Sequence, residues 1–178
     1  MAVKKKSFAG AKEKTVSVYL EADEIQGRKP VLLFTASQID EVLAETKIQT
    51  LPFASEYLLG LCAWREQALP IIDLIRFFGL SSSKKEGDGR YLVVRTVDTV
   101  SPGDKKDFRS EKVILRCVLK VSDQIISGDI PTNCEALYPK KAGFAPIFVR
   151  GLFRGEKEVF ILPDIAAIIH SNSVDGVE

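Results

Sequence analysis

The segment Tyr57–Gly79, YLLGLCAWREQALPIIDLIRFFG, contains two apolar runs and a helical pattern in direct succession. The runs Tyr57–Leu61 and Leu69–Ile72 are joined by a polar turn, which is the pattern of a β-hairpin. Asp73 then precedes apolar residues at helical spacing and can cap a first helical turn, while Gly79 can end the helix in a left-handed conformation. This segment therefore predicts a hairpin followed at once by a short helix.

The same arrangement recurs 91 residues later, in the segment Phe148–His170, FVRGLFRGEKEVFILPDIAAIIH. Gly151 takes the place of Gly60 at the start of the hairpin. Asp164 takes the place of Asp73, thirteen residues after the glycine in both copies. The register holds without a gap over about 20 positions, which favours an internal duplication over chance. Two similar small β units, side by side, are the simplest consequence.

The remaining apolar runs are short and rich in β-branched and aromatic residues, which is typical of strands. They lie at Val16–Leu20, Val31–Phe34, Tyr91–Val97, Val113–Val121 and Val159–Leu162. Clusters of Gly, Pro and Ser between them indicate turns. Ser37–Glu45 differs, because Ile39, Val42 and Leu43 follow helical spacing and Ser37 can act as the cap. We therefore predict a small β-barrel or sandwich with a few short helices.

Length and composition fit one globular unit, since 178 residues with 46% hydrophobic side chains can bury a core. The formal charge of +1 gives no overall attraction to nucleic acid or to anionic lipid. No apolar run reaches the roughly 20 residues that span a bilayer, and the N-terminus lacks a signal-peptide core. We therefore expect a cytoplasmic protein, with Lys-rich residues 1–14 as a mobile basic tail.

Residues that could carry out chemistry are few. His170 is the only histidine, which disfavours a histidine-rich metal centre and a Ser-His-Asp triad. The glycine motifs that bind phosphate are absent from the sequence. Cys62, Cys117 and Cys134 are far apart in apolar surroundings, so we expect buried thiols rather than disulfides or metal ligands. The sequence thus predicts no catalytic residue, no cofactor and no metal site.

Four short pieces of the chain stand in a fixed order over about 35 residues. They are Ile39–Leu43, Leu51-Pro52, Tyr57–Arg65 and Leu69–Leu74. Together they resemble the CheW-like family of chemotaxis adaptors, and the likeness extends from about Thr15 to His170. The resemblance implies a CheW-like fold, which is mainly β, with two small SH3-like five-stranded β-barrel lobes and a few short helices.

The resemblance also sets the expected domain bounds. A single CheW-like domain would cover residues 15–170, with a first lobe at roughly 30–85 and a second lobe at roughly 86–170. Residues 171–178 would follow as a C-terminal tail.

The function that the resemblance implies is that of a non-enzymatic signalling scaffold without a cofactor. Its expected partners are the cytoplasmic tip of chemoreceptors, the methyl-accepting proteins, and the regulatory domain of the chemotaxis histidine kinase. It would be cytoplasmic and recruited to receptor arrays at the membrane, without inserting into the bilayer and without binding nucleic acid.

Positions that contact the receptor in this family fall here on Ile39, Glu41, Gly60 and Arg65. We expect Glu41 on the exposed flank of the predicted helix, and Arg65 at a hairpin tip in either an interface or a structural role. Where the family favours Asn-Leu-Arg-Gly, this chain has Ala63-Trp64-Arg65-Glu66, so the turn loses a glycine and gains a large aromatic residue. Trp64 is a fifth candidate contact, either exposed at the interface or folded back onto the barrel.

Two other functions remain open at this stage. A pocket between the lobes could hold a small molecule, which would make the chain a ligand sensor or an enzyme. Arg65, Glu66 and Asp73 would be the first residues to consider there. Nucleic-acid binding by a small barrel would need exposed aromatic residues interleaved with Lys or Arg, whereas nearly all the Phe residues here fall within apolar runs.

Overall fold

The computed structural model describes residues 14–82, 89–100 and 111–174. Within these ranges the strands are β1 (Thr15–Tyr19), β2 (Lys29–Thr35), β3 (Ile39–Leu43), β4 (Leu58–Trp64), β5 (Gln67–Asp73), β6 (Arg90–Val100), β7 (Glu111–Val121), β8 (Ile125–Gly128), β9 (Glu135–Ala136), β10 (Val149–Arg154) and β11 (Glu158–Pro163). The α-helices are α1 (Leu74–Phe77) and α2 (Ile165–Val174). Short 3-10 turns occupy Ala36–Gln38, Pro139–Ala142 and Pro146–Phe148. The predicted mainly β fold with few helices is confirmed.

The strands form two sheets with a common plan. The six-stranded sheet has the order β8-β1-β2-β11-β10-β9, and the five-stranded sheet has the order β3-β6-β7-β5-β4. In each sheet two hairpins meet through one parallel pair, which is β2 with β11 in the first and β5 with β7 in the second. A short strand, β8 or β3, then pairs antiparallel with the outer side of one hairpin. The two-residue strand β9 accounts for the sixth strand.

The two sheets are not consecutive halves of the chain. β1 and β2, near the N-terminus, pair with β8 and β11 from the C-terminal part. β6 and β7 instead belong with β3, β4 and β5. The expected lobe bounds, 30–85 and 86–170, do not coincide with the residues of the two sheets, whose membership depends on how distant strands pair. A parallel pair joins segments that are distant in sequence, and this pairing cannot be seen locally.

The 91-residue offset of the sequence is also the offset of the structural elements. β4 and β10 begin 91 residues apart, as do β5 and β11, and α1 and α2. Both first strands have a bulge immediately before their glycine, Gly60 or Gly151. The carboxylate of Asp73 caps α1, and that of Asp164 accepts a backbone N–H from the first turn of α2. The predicted hairpin and helix are confirmed in both copies.

The helix predicted over Ser37–Glu45 is wrong. Only the 3-10 turn Ala36–Gln38 is helical, and the following residues form β3, paired with β6. Glu41 consequently lies on a strand rather than on the flank of a helix. A bulge between Ile39 and Glu41 shifts the alternation of side chains by one residue, so a strand can imitate helical spacing. Pairing with the long strand β6 decides the outcome.

The predicted tails lie mostly outside the described residues. Thr15 already begins β1, and residues 1–13 are not among the described ranges. At the other end α2 continues through Val174, so the C-terminal tail expected from residue 171 starts within this helix.

The main core lies between the two sheets and includes residues from both, with the helices closing its edges. Its buried members include Val18, Leu32, Phe34, Leu74, Leu92, Leu119, Ile161, Ile165 and Ile168. A smaller group, the small cluster, lies on the opposite face of the five-stranded sheet and consists of Cys62, Trp64, Leu69, Ile71, Val93 and Val118. Because side chains alternate along β6 and β7, this sheet is buried on both faces.

The β4–β5 hairpin turns through Arg65 and Glu66, whose φ angles are 44° and 65°. Positive φ at both central residues is the pattern of a type I′ turn, for which Asn and Gly are favoured. A charged side chain with a Cβ is strained in this conformation. In the β10–β11 turn the matching residues, Glu156 and Lys157, do not have positive φ.

Glu66→Gly should raise the free energy of unfolding by about 0.5–1 kcal/mol, because glycine adopts positive φ without a steric penalty. Urea unfolding followed by tryptophan fluorescence measures this difference. The matched control is Lys157→Gly, which should be neutral or destabilising, since glycine there only adds freedom to the unfolded chain. A Glu66→Gly protein that is no more stable than the native one would contradict the strain in the turn.

Candidate functional site

Three of the five predicted site residues contact one another at one end of the five-stranded sheet. Nε1 of Trp64 donates a hydrogen bond of 2.9 Å to Oε2 of Glu41, and Nη2 of Arg65 lies 3.3 Å from the same oxygen. The Arg65 guanidinium carbon is 4.5 Å from the centroid of the Trp64 ring, a cation–π geometry. One carboxylate thus ties the edge strand β3 to the tip of the β4–β5 hairpin.

A second group of charges lies beside this contact. Asp40, whose side chain is 13% exposed, accepts a 2.7 Å hydrogen bond from Nε of Arg116 and lies 3.5 Å from Nη1 of Arg95. The guanidinium of Arg116 is also 5.7 Å from the centroid of the Trp64 ring. We call Asp40, Glu41, Trp64, Arg65, Arg95 and Arg116 the polar cluster. It covers one end of the small cluster with two carboxylates, three guanidinium groups and one indole.

The Trp64 side chain is folded back onto the sheet, because the residue is only 8% exposed. Of the two possibilities open from the sequence, an exposed ring and a ring packed on the barrel, the structure has the second. The side chains of Arg65 and Glu41 are 67% and 40% exposed. A partner at this end would therefore meet the Arg65–Glu41 pair, with the indole beneath it as support.

Ile39 and Gly60 do not belong to the polar cluster. Ile39 is half-buried and packs against the main core. Gly60 is buried in β4 with a φ of +142°, and a Cβ there would overlap the carbonyl oxygen of Gln49. This close approach allows Gln49 and Leu61 to exchange two backbone hydrogen bonds of 2.8 and 2.9 Å. Gly60 therefore holds the segment before β4 against the sheet.

Sequence reasoning did not identify Asp40, Arg95 or Arg116 as site residues. The available signal was the presence of arginine within apolar strands, since a charge in such a position needs a partner. Arg95 and Arg116 are also directly opposite each other in the β6–β7 ladder. Two like charges in that position require an acid between them, but the register is not visible in the sequence.

The residues considered for a small-molecule pocket between the lobes do not converge. Arg65 and Glu66 form the turn before β5, whereas Asp73 is the last residue of that strand. Seven strand residues separate the two ends by roughly 20 Å. The carboxylate of Asp73 is bound to the backbone N–H groups of Ile75 and Arg76, as a helix cap.

The other residues considered for chemistry are His170 and the three cysteines. Nε2 of His170 lies 2.6 Å from Oδ2 of Asp98, and this hydrogen bond holds the pKa of Asp98 below its ordinary value. Burial raises the pKa of the Cys117 thiol to about 12, and Cys62 is also buried, whereas Cys134 is only partly buried. Within the described ranges no group of three or more His, Cys, Asp or Glu side chains is placed to hold a metal ion.

Two sheets of common plan, with a charged cluster at one end of a sheet, define a small two-sheet β module. Residues 24–125 match the model of the CheW-like domain, which is more than half of the chain, and the chain belongs to that family. The predicted resemblance to the CheW-like family is confirmed, and membership of this family supports a role as a chemotaxis scaffold or adaptor.

A solved structure agrees with this assignment. The scaffolding protein TtCheW from Thermoanaerobacter tengcongensis matches with a TM-score of 0.59 over 91% of each chain, at 20% sequence identity. At this identity the likeness establishes the fold, and the CheW-like fold is confirmed. No curated protein sequence matches the chain. In the part of the chain that the structure describes, no helix is long and apolar enough to cross a membrane.

Glu41→Leu should lower the free energy of unfolding by about 1–3 kcal/mol, because it leaves the buried indole N–H of Trp64 without an acceptor. Glu41→Gln keeps an acceptor oxygen and should cost less than about 1 kcal/mol, since the exposed ion pair with Arg65 contributes little. Urea unfolding can follow Trp64 directly, because it is the only tryptophan in the chain. Equal losses in the two variants would contradict the importance of the indole hydrogen bond.

Gly60→Ala should destabilise the protein by at least about 2 kcal/mol, because its Cβ would meet the Gln49 carbonyl and its φ is unfavourable for alanine. Gly128→Ala is the matched control, since a Cβ there has nothing within 4 Å. It should change the stability by no more than about 0.5 kcal/mol. Thermal unfolding of both variants measures the difference in stability. A similar loss of stability in the two would show that the Gln49 carbonyl does not constrain position 60.

Proposed function

We propose that the chain is a non-enzymatic signalling scaffold that couples the cytoplasmic tip of a chemoreceptor to the regulatory domain of a chemotaxis histidine kinase. The main support is its membership of the CheW-like family over residues 24–125. In this role the protein would work in the cytoplasm, at receptor arrays, by binding alone.

The polar cluster is the surface that we propose for the receptor. Two of its exposed members, Arg65 and Glu41, present a positive and a negative group 3.3 Å apart. Such a pair can bind complementary charges on a helical hairpin and fix its register, which is how charges contribute to specificity. Trp64 and Gly60 would act indirectly, Trp64 by supporting Arg65 and Gly60 by holding the hairpin in place. Ile39 would contribute through its partly exposed edge.

The kinase domain would bind elsewhere on the molecule, at an end strand of the six-stranded sheet. β8 is an outer strand of that sheet in the order that the structure describes, and it carries no residue of the polar cluster. An outer strand can offer backbone donors and acceptors to a second β domain. A scaffold with separate surfaces for two partners can hold both at once.

The test is a binding experiment with the full chain and two purified partners from the same organism, a chemoreceptor cytoplasmic fragment and the kinase regulatory domain. Titration calorimetry should show binding of both. Arg65→Glu should weaken receptor binding at least about ten-fold, which corresponds to about 1.4 kcal/mol, and leave kinase binding unchanged. Arg90→Glu is the matched control, because Arg90 is a half-exposed arginine in a 3.0 Å pair with Asp123, and it should have little effect.

The outcomes separate the function from the surface. If the native chain binds neither partner, the scaffold proposal fails. If it binds both and Arg65→Glu behaves like Arg90→Glu, the scaffold proposal stands and the assignment of the receptor surface fails.

A further inference from the structure

An apolar pocket of about 200 Å³ opens on the outer face of the six-stranded sheet, opposite the main core. Part of it is formed by β2, β10 and β11, and part by the segment between β8 and β9. Neither the proposed receptor surface nor the main core includes it. The lining side chains include Leu33, Ile130, Cys134, Phe153, Phe160 and Leu162.

This face corresponds to the face of the five-stranded sheet that carries the small cluster. Phe153, Phe160 and Leu162 stand 91 residues after Cys62, Leu69 and Ile71. The parallel register of β11 with β2 repeats that of β5 with β7, which puts Leu33 in the place of Val118. The pocket is therefore the counterpart of the small cluster in the second copy of the fold.

At the end of the hairpin the first copy has an aromatic ring that the second copy lacks. Trp64 is paired with Gln67 at the end of the first hairpin and fills the small cluster. Gly155, which stands 91 residues later, donates its backbone N–H to the carbonyl of Glu158 at 2.9 Å, in the matching position of the second hairpin. A glycine provides no ring at this place.

Larger neighbours replace only part of the missing volume. Phe153 and Phe160 are bigger than their counterparts, yet both remain half-buried, as do Leu33 and Leu162, and Ile130 is 61% exposed. In the small cluster, by contrast, every member is at most 8% exposed. Removing such apolar surface from water is favourable, so a molecule with an apolar surface gains binding free energy by covering it.

The chemistry of the pocket restricts what can cover it. None of the described residues that line it is charged. In the first copy Glu41 accepts the indole N–H and pairs with Val93. The residue that corresponds to Val93 in the second copy is Ser17, which pairs with Ile126. Ile126 therefore stands in the place of Glu41. The pocket therefore has no acidic group that could accept a hydrogen bond from an aromatic ring. A neutral ligand without an obligatory donor fits it.

The size of the pocket points to the same class of ligand. An enclosed cavity of roughly 150 Å³ lined by Leu, Ile and Phe is known to take up benzene, and this open pocket of about 200 Å³ has room for a ring of that size. We propose that the pocket binds a small, neutral, planar aromatic molecule of one ring or two fused rings. The ligand takes the place that the Trp64 ring occupies in the first copy.

The first measurement uses fluorobenzene as the probe and the full chain as the target. Its ¹⁹F resonance should broaden saturably with protein concentration. The probe should also slow the reaction of Cys134 with a thiol reagent, because this cysteine lines the pocket while Cys62 and Cys117 are buried. Fluorobenzoate, which carries a charge, should do neither.

Two variants should close the pocket from opposite sides. Gly155→Trp restores the missing ring, with its Cβ 3.0 Å from an edge atom of the Phe160 ring, which can rotate. Cys134→Phe fills the pocket from the facing segment. Each should weaken fluorobenzene binding at least about ten-fold, with folding verified by circular dichroism and by cooperative thermal unfolding. Lys157→Trp is the matched control, since it places an exposed tryptophan in the same turn, and it should leave binding unchanged.

Two results would overturn the proposal. One is the absence of saturable fluorobenzene binding to the native chain. The other is binding of native strength in whichever of Gly155→Trp and Cys134→Phe is folded. Receptor and kinase binding are measured separately, so failure of this proposal leaves the scaffold function untouched.

Discussion

The parallel pairing of β2 with β11 joins two strands that are well over a hundred residues apart, and the six-stranded sheet depends on it. Closing so long a stretch of chain has an entropic cost, although that cost grows only slowly with length. Burial of Leu32 and Ile161, which face each other across this pair and are both fully buried, offsets it. Side-chain and backbone bonds at the start of β2 reinforce it, since Arg28 and Lys29 donate to carbonyls in the β10–β11 turn. The main core exists because this sheet is complete.

Local features of the fold could be predicted, and features that depend on distant partners could not. The hairpin and the Asp cap are determined within about 20 residues, so they were predicted in both copies, and the glycine stop after α1 is equally local. The membership of the sheets depends on which strand meets β2 or β7, and periodicity has no information on that. The prediction of a helix in place of β3 was wrong for a related reason. The bulge of β3 is formed against β6, and its apolar residues by themselves fit a helix.

The candidate site was predicted as a set of positions and not as an arrangement. Resemblance to the family supplied Glu41 and Arg65, and the departure from the family pattern drew attention to Trp64. Their contact requires β3 to be a strand, whereas the sequence favoured a helix there. Asp40, Arg95 and Arg116 join them because the β6–β7 register places two arginines opposite each other. This group of residues could be identified only from the register of β6 and β7. The partner-binding roles of all these residues remain predictions.

The five-stranded sheet is built from one continuous stretch, residues 39–121, while the six-stranded sheet draws on both ends of the chain. During synthesis the first sheet can therefore be completed while later residues are still being added. The β1–β2 hairpin, although made first, has to wait for β11 with one side unpaired. Unpaired strand edges promote aggregation in folding intermediates. The order in which the ribosome releases the strands thus leaves the β1–β2 hairpin with an unpaired edge until β11 has been made.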